Sequence, residues 1–465
     1  MPEAPTPSTA HSMRTFVIIW IGQVASMLGS AMTTFALTIW AFERTGRATD
    51  LALISFFYMA PLLVTAPFIG VLVDRHNRKL MMMLSDLASG LLTIAGLILL
   101  VTDLLQVWHL FIISMLMGIF GGFQWPAYSA AITLMLDKKH YTRANSMLEL
   151  AQSGSGVLAP LAAGALLGVI GLRGIMLIDI VTFVFAIGTL LVVHIPNPER
   201  SPEQQAVPSG MWSELGYALR YLKDRPGLLL LQGLFMVGNF FFTMAFTLLA
   251  PMILKRTGSN ELLFGSVQTL GALGGVIGAV VVSAWGGFRR RIDGVLVGWL
   301  VSMLGLIITG LGRPEPVWAA LPVWGSGALI GSMASALINA SNQAIWQSKV
   351  APDVQGRVFS LRRFIAIAII PIAQLIAGPL ADQVMEPAMQ PGGALSGAFG
   401  WLVGIGPGAG MALIFVFAGL AGMATTVGAA FIPTIRHVES MLPDHDSVPQ
   451  PVKGAADTGV APDTI

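Results

Sequence analysis

The sequence contains no cysteine. Disulfides, thiolate metal sites and cysteine nucleophiles are therefore excluded, and the redox compartment leaves no mark. Charge is also scarce. Charged residues make up 11% of the chain, where soluble domains average about 25%. The formal net charge of +2 implies no nucleic-acid partner. Seven histidines are scattered without metal-ligand spacing. No nucleophile–base constellation stands out and no Walker sequence occurs, so neither an enzyme nor an ATP-driven pump is expected. Glycines in GIGPGAG, Gly404 to Gly410, have phosphate-loop spacing, but no strand precedes them, so a nucleotide site is not implied. The segment Met1 to Met13 lacks a basic n-region and cleavage site. The first apolar run is expected to act as its own insertion signal.

What the chain has instead is apolar length. Hydrophobic residues make up 55%. Runs of spanning length fall near 16–42, 51–73, 80–102, 107–136, 144–170 and 172–195, then near 228–254, 261–285, 294–312, 317–345, 358–381 and 405–432. Each suits a membrane-crossing helix. The fold class predicted is an all-α membrane protein with twelve transmembrane helices, the ninth being the shortest and weakest. Placing both termini in the cytoplasm puts 20 of the 26 Lys and Arg residues inside and 6 outside, which is the bias membrane insertion favours.

The chain also repeats itself. Arg44-Thr45-Gly46 matches Arg256-Thr257-Gly258 at an offset of 212, Arg78 matches Arg291 at 213, Ala127 and Ile132 match Ala340 and Ile345 at 213, and Arg143 matches Arg357 at 214. Two six-helix bundles in the same orientation follow, with a binding site expected at their interface. The predicted organisation is a tail at 1–14, a first bundle at 15–195, a linker at 196–226, a second bundle at 227–433 and a disordered tail at 434–465. In the linker, Met211, Leu215, Ala218 and Leu222 share a helical face. That helix either lies in the interface, with Trp212 and Tyr217 near the headgroups, or packs on the inner mouth.

Between spans two and three lies GVLVDRHNRK, Gly70 to Lys79. Twelve spans, parallel halves and this charged loop resemble the major facilitator superfamily, whose motif is here Gly70, Asp74, Arg75, Asn77, Arg78 and Lys79, with Asn77 in place of a glycine. Asn tolerates a left-handed turn better than most residues. KKHYTRANSM (Lys138 to Met147), QGRVFSLRR (Gln355 to Arg363) and LGYALRYLKDRPGL (Leu215 to Leu228) resemble the branch containing enterobactin-type siderophore exporters and macrolide efflux proteins. The resemblance covers roughly 15–435. It implies a monomeric bacterial inner-membrane exporter of a medium-sized amphipathic small molecule, working by alternating access. No cofactor is implied. The proton gradient is the expected energy source and the lipid bilayer the surroundings. Lysophospholipid movement is an alternative, and a non-transporting sensor or assembly partner is another. Two departures qualify the proton-antiporter pattern. The span-four stretch IISMLMGIFGG has no arginine, and Ala159 replaces a glycine before Pro160 in span five.

The resemblance also implies that Asp74 caps the cytoplasmic start of span eleven when the transporter faces outward, with Arg75 and Arg78 completing a charge network. Arg143, Glu149, Arg357 and Arg362 are the expected gate partners. The motif otherwise serves only to fix orientation. Asp86, Glu149 and Asp179 lie inside spans. They are either proton-coupling groups or fixed partners at helix ends, with loop arginines for the first two and Arg173 near the third. Gln23, Gln152, Asn239, Gln268, Asn339, Asn342 and Gln343 are candidates for the substrate cavity, or else hydrogen-bond between helices. Phe240, Phe241, Phe242, Met244 and Phe246 of span seven either line an apolar pocket or face lipid.

Overall fold

The computed structural model describes residues 13–75, 77–136, 140–193, 216, 219–315, 317–350 and 352–442. The surroundings of Gly70 and the side chains of Asp74, Arg75, Arg78 and Arg357 lie outside that description, as do Met211, Trp212, Leu215, Tyr217 and Ala218 of the linker. Among the described residues there is no strand. In hydrocarbon every backbone N–H and C=O must be paired within its own segment, and only helices do this for single crossings.

The helices are α1 (Met13–Thr45), α2 (Ala48–Arg75), α3 (Arg78–Val101), α4 (Val107–Gly121), α5 (Gln124–Met135) and α6 (Tyr141–Val192). They continue as α7 (Pro226–Thr247), α8 (Leu249–Thr257), α9 (Glu261–Trp285), α10 (Arg291–Leu311), α11 (Val317–Lys349), α12 (Pro352–Pro379), α13 (Ser396–Val403) and α14 (Ala409–Phe431). Among the described residues, eleven are long and apolar enough to cross a bilayer once the broken ones are joined. One of these, Ser146–Val192, has 47 residues, or about 70 Å of helix against a hydrocarbon core of about 30 Å. It is two crossings. Gly171 has φ 66 and ψ 178, a backbone region open essentially to glycine alone. Leu148 and Leu190 then meet in one apolar cluster, so the chain doubles back at Gly171. The crossings number twelve, as the apolar runs predict.

Several boundaries differ from expectation. Span four breaks between α4 and α5 at Gly122, and span seven breaks at Leu248. Span eleven runs past Pro379 into a π-helical turn, Leu380–Met385, because proline cannot continue the α-helical ladder. The ninth span, the weakest by sequence, is α10, one of the two most deeply buried crossings. Its Gly298 and Gly305 let α11 pack against it closely. The tail expected to be disordered from 434 is ordered as far as Leu442. Lys349 donates through Nζ to the carbonyls of Glu439 and Leu442, and Arg436 pairs with Asp293 at 3.7 Å. Leu222 of the linker is fully buried in the core of the second bundle, which favours packing over an interfacial position.

The buried side chains form two apolar clusters. One runs from the first bundle into the second, joining Phe35, Ala48 and Ala163 to Met252, Phe264 and Ala377. The other, around Phe16, Met82, Tyr128 and Leu148, belongs to the first bundle alone.

Candidate functional site

The bundles meet at the end opposite Met13 and the Gly70–Lys79 loop, here termed the far end; the other is the terminal end. The described hydrogen bonds and ring stacks between the bundles lie toward the far end. Phe35 of α1 stacks on Phe264 of α9 with centroids 4.9 Å apart. Thr269 of α9 donates through Oγ1 to the Val157 carbonyl of α6 at 2.9 Å. A Cβ on Gly265 would collide with the Pro160 carbonyl, and one on Gly164 would meet the Glu261 carbonyl at 2.9 Å. Small residues therefore set how closely these helices approach.

A carboxylate completes this seam. Asp382, on the π-helical turn, accepts from the Ala48 N–H at 3.1 Å, the Thr49 N–H at 2.7 Å and the Thr49 hydroxyl at 2.6 Å. Ala48 and Thr49 open α2, so an anion from the second bundle caps the first turn of a helix in the first. Free N–H groups and the helix dipole both favour a negative charge there. Glu386, one turn on, is buried and caps α14 through the N–H groups of Gly408 (3.0 Å) and Met411 (3.1 Å), with Lys255 at 3.2 Å. Sequence reasoning missed both acids. Their signal is a pair of carboxylates four residues apart in an otherwise apolar crossing.

Toward the terminal end the seam parts. On α6 the helical stripe Glu149, Ser153, Val157, Pro160, Gly164 touches α9 from Val157 outward, whereas Glu149 and Ser153 are exposed. A Cβ on Gly154 or Gly275 would meet nothing within 4 Å.

Where the seam begins, a cavity of about 440 Å³ opens between the bundles. Thr34, Thr38, Ser55, Thr243 and Thr247 line it together with Gln268 and Gln374. Phe242, Phe246 and Phe264 form its aromatic wall, so two phenylalanines of span seven do line a pocket.

The candidate residues separate into distinct settings. Gln268 lines the cavity. Gln23 is buried and donates to Asp86 at 2.8 Å, and it accepts from Gln124. Asp86 therefore rests on amides of its own bundle instead of a loop arginine. Asp179 is 2% exposed and accepts from Ser30 at 2.9 Å and Thr93 at 3.1 Å. Arg173, expected beside it, pairs with Asp103 at 3.9 Å. Asn239 donates to the Ala366 carbonyl at 3.0 Å, a bond between spans seven and eleven. Asn342 is buried and accepts from Trp346. Gln343 accepts from Arg362 at 2.7 Å, and Arg362 also lies over the Trp346 and Phe359 rings. Arg143, Glu149, Gln152 and Asn339 are exposed. In the loop, Asn77 caps α3 by accepting from the Leu80 N–H at 3.2 Å, and Lys79 donates to the Val193 carbonyl at 2.6 Å.

Twelve crossings in two parallel bundles, parted by a cleft that holds a cavity of mixed apolar and hydroxyl lining, define a membrane carrier of the twelve-helix type. The sequence profile of the Major Facilitator Superfamily matches residues 19–371, and the chain belongs to that family: it is a multi-pass membrane transporter, not an enzyme. Macrolide efflux protein A of Streptococcus pyogenes is 29% identical over 382 residues, covering 79% of this chain and 90% of that protein. Multidrug efflux pump Tap of Mycolicibacterium fortuitum is 24% identical over 376 residues, covering 79% and 89%. Among solved structures, the inward-facing, unoccupied bacterial homologue of the human lysosomal transporter Spinster superposes with a TM-score of 0.62 at 15% identity, covering 90% of this chain and 95% of that one.

Proposed function

We propose that the chain exports a medium-sized amphipathic compound, of the macrolide, siderophore or peptide natural product type, across a bacterial inner membrane by alternating access. The observation that carries this reading is the cavity between the bundles, sealed by the far-end seam and parted from it toward the terminal end. With the Lys and Arg bias placing the termini in the cytoplasm, this arrangement is the inward-open state, ready to load from inside. Export then requires the Asp382 seam to open and the terminal end to close, with the Gly70–Lys79 motif meeting the start of α12. The relatives named for macrolide and multidrug efflux support an outward direction.

The energy source is the proton gradient. Asp86 is the leading coupling group, because it is buried on neutral amides, Gln23 and through it Gln124, with no ion pair among the described residues. Moving a lone carboxylate into a membrane interior is expensive, about 2.5–3.5 kcal/mol on insertion scales, and a proton removes that cost. Proteoliposome flux under an imposed pH gradient tests the reading. Macrolide movement driven by the gradient, lost in Asp86→Asn and in Asp74→Asn, is expected. Flux indifferent to the gradient in the unmodified chain would remove proton coupling from the mechanism.

A further inference from the structure

We infer that the cavity recognises its cargo through hydroxyl groups on the cargo, using neutral acceptors of the protein and no fixed charge. The inference rests on the reading that cargo enters this cavity, and it narrows the kind of cargo. None of the residues lining the cavity is Asp, Glu, Lys or Arg. The threonines are committed in a particular way. Thr34 donates its hydroxyl proton to the Ser30 carbonyl at 2.9 Å, Thr38 to the Thr34 carbonyl at 2.8 Å and Thr247 to the Thr243 carbonyl at 2.8 Å. A hydroxyl has one proton and two lone pairs, so these three can offer the cavity only lone pairs. Gln374, in the second bundle with Thr247, adds a further acceptor. It is 8% exposed, it lines the cavity, and its Oε1 has no partner among the described residues.

An acceptor held in an apolar setting without a donor carries a desolvation penalty, and a matching donor on a ligand relieves it. Ser55, Thr243 and Gln268 keep groups that can donate as well as accept. A hydroxyl does both, so a polyhydroxylated face matches this wall. A face of carbonyls or ethers would meet the lone pairs of Thr34, Thr38 and Thr247 with lone pairs of its own. Beside these groups on the same helices, Phe242, Phe246 and Phe264 supply the surface for an apolar ring or chain. The cargo class is an amphiphile that carries hydroxyl groups beside an apolar surface, and a cationic amine is not required for its recognition.

The test uses the full chain purified in detergent, with erythromycin and its hydroxyl-acetylated derivative as probes and scintillation proximity as the readout. A site that hydrogen-bonds a substrate hydroxyl rejects analogues lacking it, so the acetylated probe is expected to bind at least about tenfold more weakly. Thr38→Val and Gln374→Leu each remove an acceptor at nearly constant volume. Each is expected to weaken erythromycin by about fivefold to tenfold while leaving the acetylated probe little changed. Monodisperse elution and an unchanged melting temperature confirm that the variants fold, and the probe comparison on the unmodified chain needs no variant. Equal binding of the two probes, binding of neither, or variants that bind erythromycin like the unmodified chain overturns the inference. Vesicle flux is scored separately. Hydroxyl-dependent binding without flux removes the export reading alone, and flux with hydroxyl-independent binding removes this inference alone.

Discussion

The two ends of the cleft are built on opposite terms. The far end is joined by helices with almost nothing between them, at Gly164, Gly265 and Gly378, and by one carboxylate seated on a helix start. Toward the terminal end no described hydrogen bond or ring stack joins the bundles, and Arg143, Glu149 and Arg363 are exposed. Large apolar interlocks would make a permanent wall. Small contacts and a few bonds instead make a seam that closes firmly and still releases. The apolar clusters agree, since the shared one takes in first-bundle residues near the seam, such as Phe35 and Ala48, while the terminal-end cluster of the first bundle stands apart from the second bundle's core at Leu222 and Val438. Rocking the bundles apart at the far end breaks only the shared cluster.

The comparison is open to direct attack, and the absence of cysteine makes paired spin labels free of background. Pairs at Arg47 and Ala394 report the far end, and pairs at Arg143 and Arg363 report the terminal end. The largest shift is expected for Asp382→Ala. Losing a carboxylate that accepts three bonds removes about 2 kcal/mol net from the sealed state, or roughly thirtyfold in population. Distance distributions should then show the far end opening and the terminal end narrowing; a distribution like that of the unmodified chain would mean the seam does not depend on Asp382. Gly265→Ala comes next. Its methyl cannot fit against the Pro160 carbonyl, and overpacking of this kind typically costs about 1–3 kcal/mol. At the low end of that range, about 1 kcal/mol, the same label pairs should move in the same direction by about fivefold; an unmoved far-end distance would show that helix contact there is not limiting.

Gly171→Ala tests the fold more than the seam. Alanine at that backbone conformation is strained by about 1–3 kcal/mol, so a lower melting temperature with little change in either label distance is expected. A variant that melts like the unmodified chain would mean the reversal survives without glycine. The smallest effect belongs to Glu149→Gln. Glu149 is exposed and makes no bond among the described residues, so its loss should alter stability by less than about 0.5 kcal/mol. A large drop in melting temperature would mean the terminal end is held by contacts through Glu149.

Span count, parallel halves and the charged loop were legible in the sequence because each depends on composition and spacing alone. Apolar length marks a crossing wherever the helix packs, and the Arg and Gly anchors recur because both bundles are built alike. The seam was not legible. Asp382 and Glu386 lie in the last turns of the span-eleven crossing, beyond the 381 boundary read from the sequence, where an acid usually signals only a helix end, and their partners at Thr49 and Gly408 are far away in sequence or across a loop. Asp86 and Asp179 were found as buried acids, but their partners were misread. Proximity along the chain suggested arginines, whereas Gln23, Ser30 and Thr93 reach them only after α1 packs against α3 and α6. Gln268, Phe242 and Phe246 line the cavity, whereas Phe240, Phe241 and Met244 are not among its lining residues; the threonines of α1 escaped notice, since a hydroxyl looks the same in sequence whether or not its proton is already spent on its own helix.

The reversal at Gly171 has a mechanical corollary. Spans five and six share that single residue as their joint, with no intervening loop to stretch or fold. Neither rod can slide along its axis without pulling the other. The hydroxyl-held Asp179 and the α9-facing stripe of α6 are therefore yoked, and displacement of one at the seam is delivered to the other as rigid leverage.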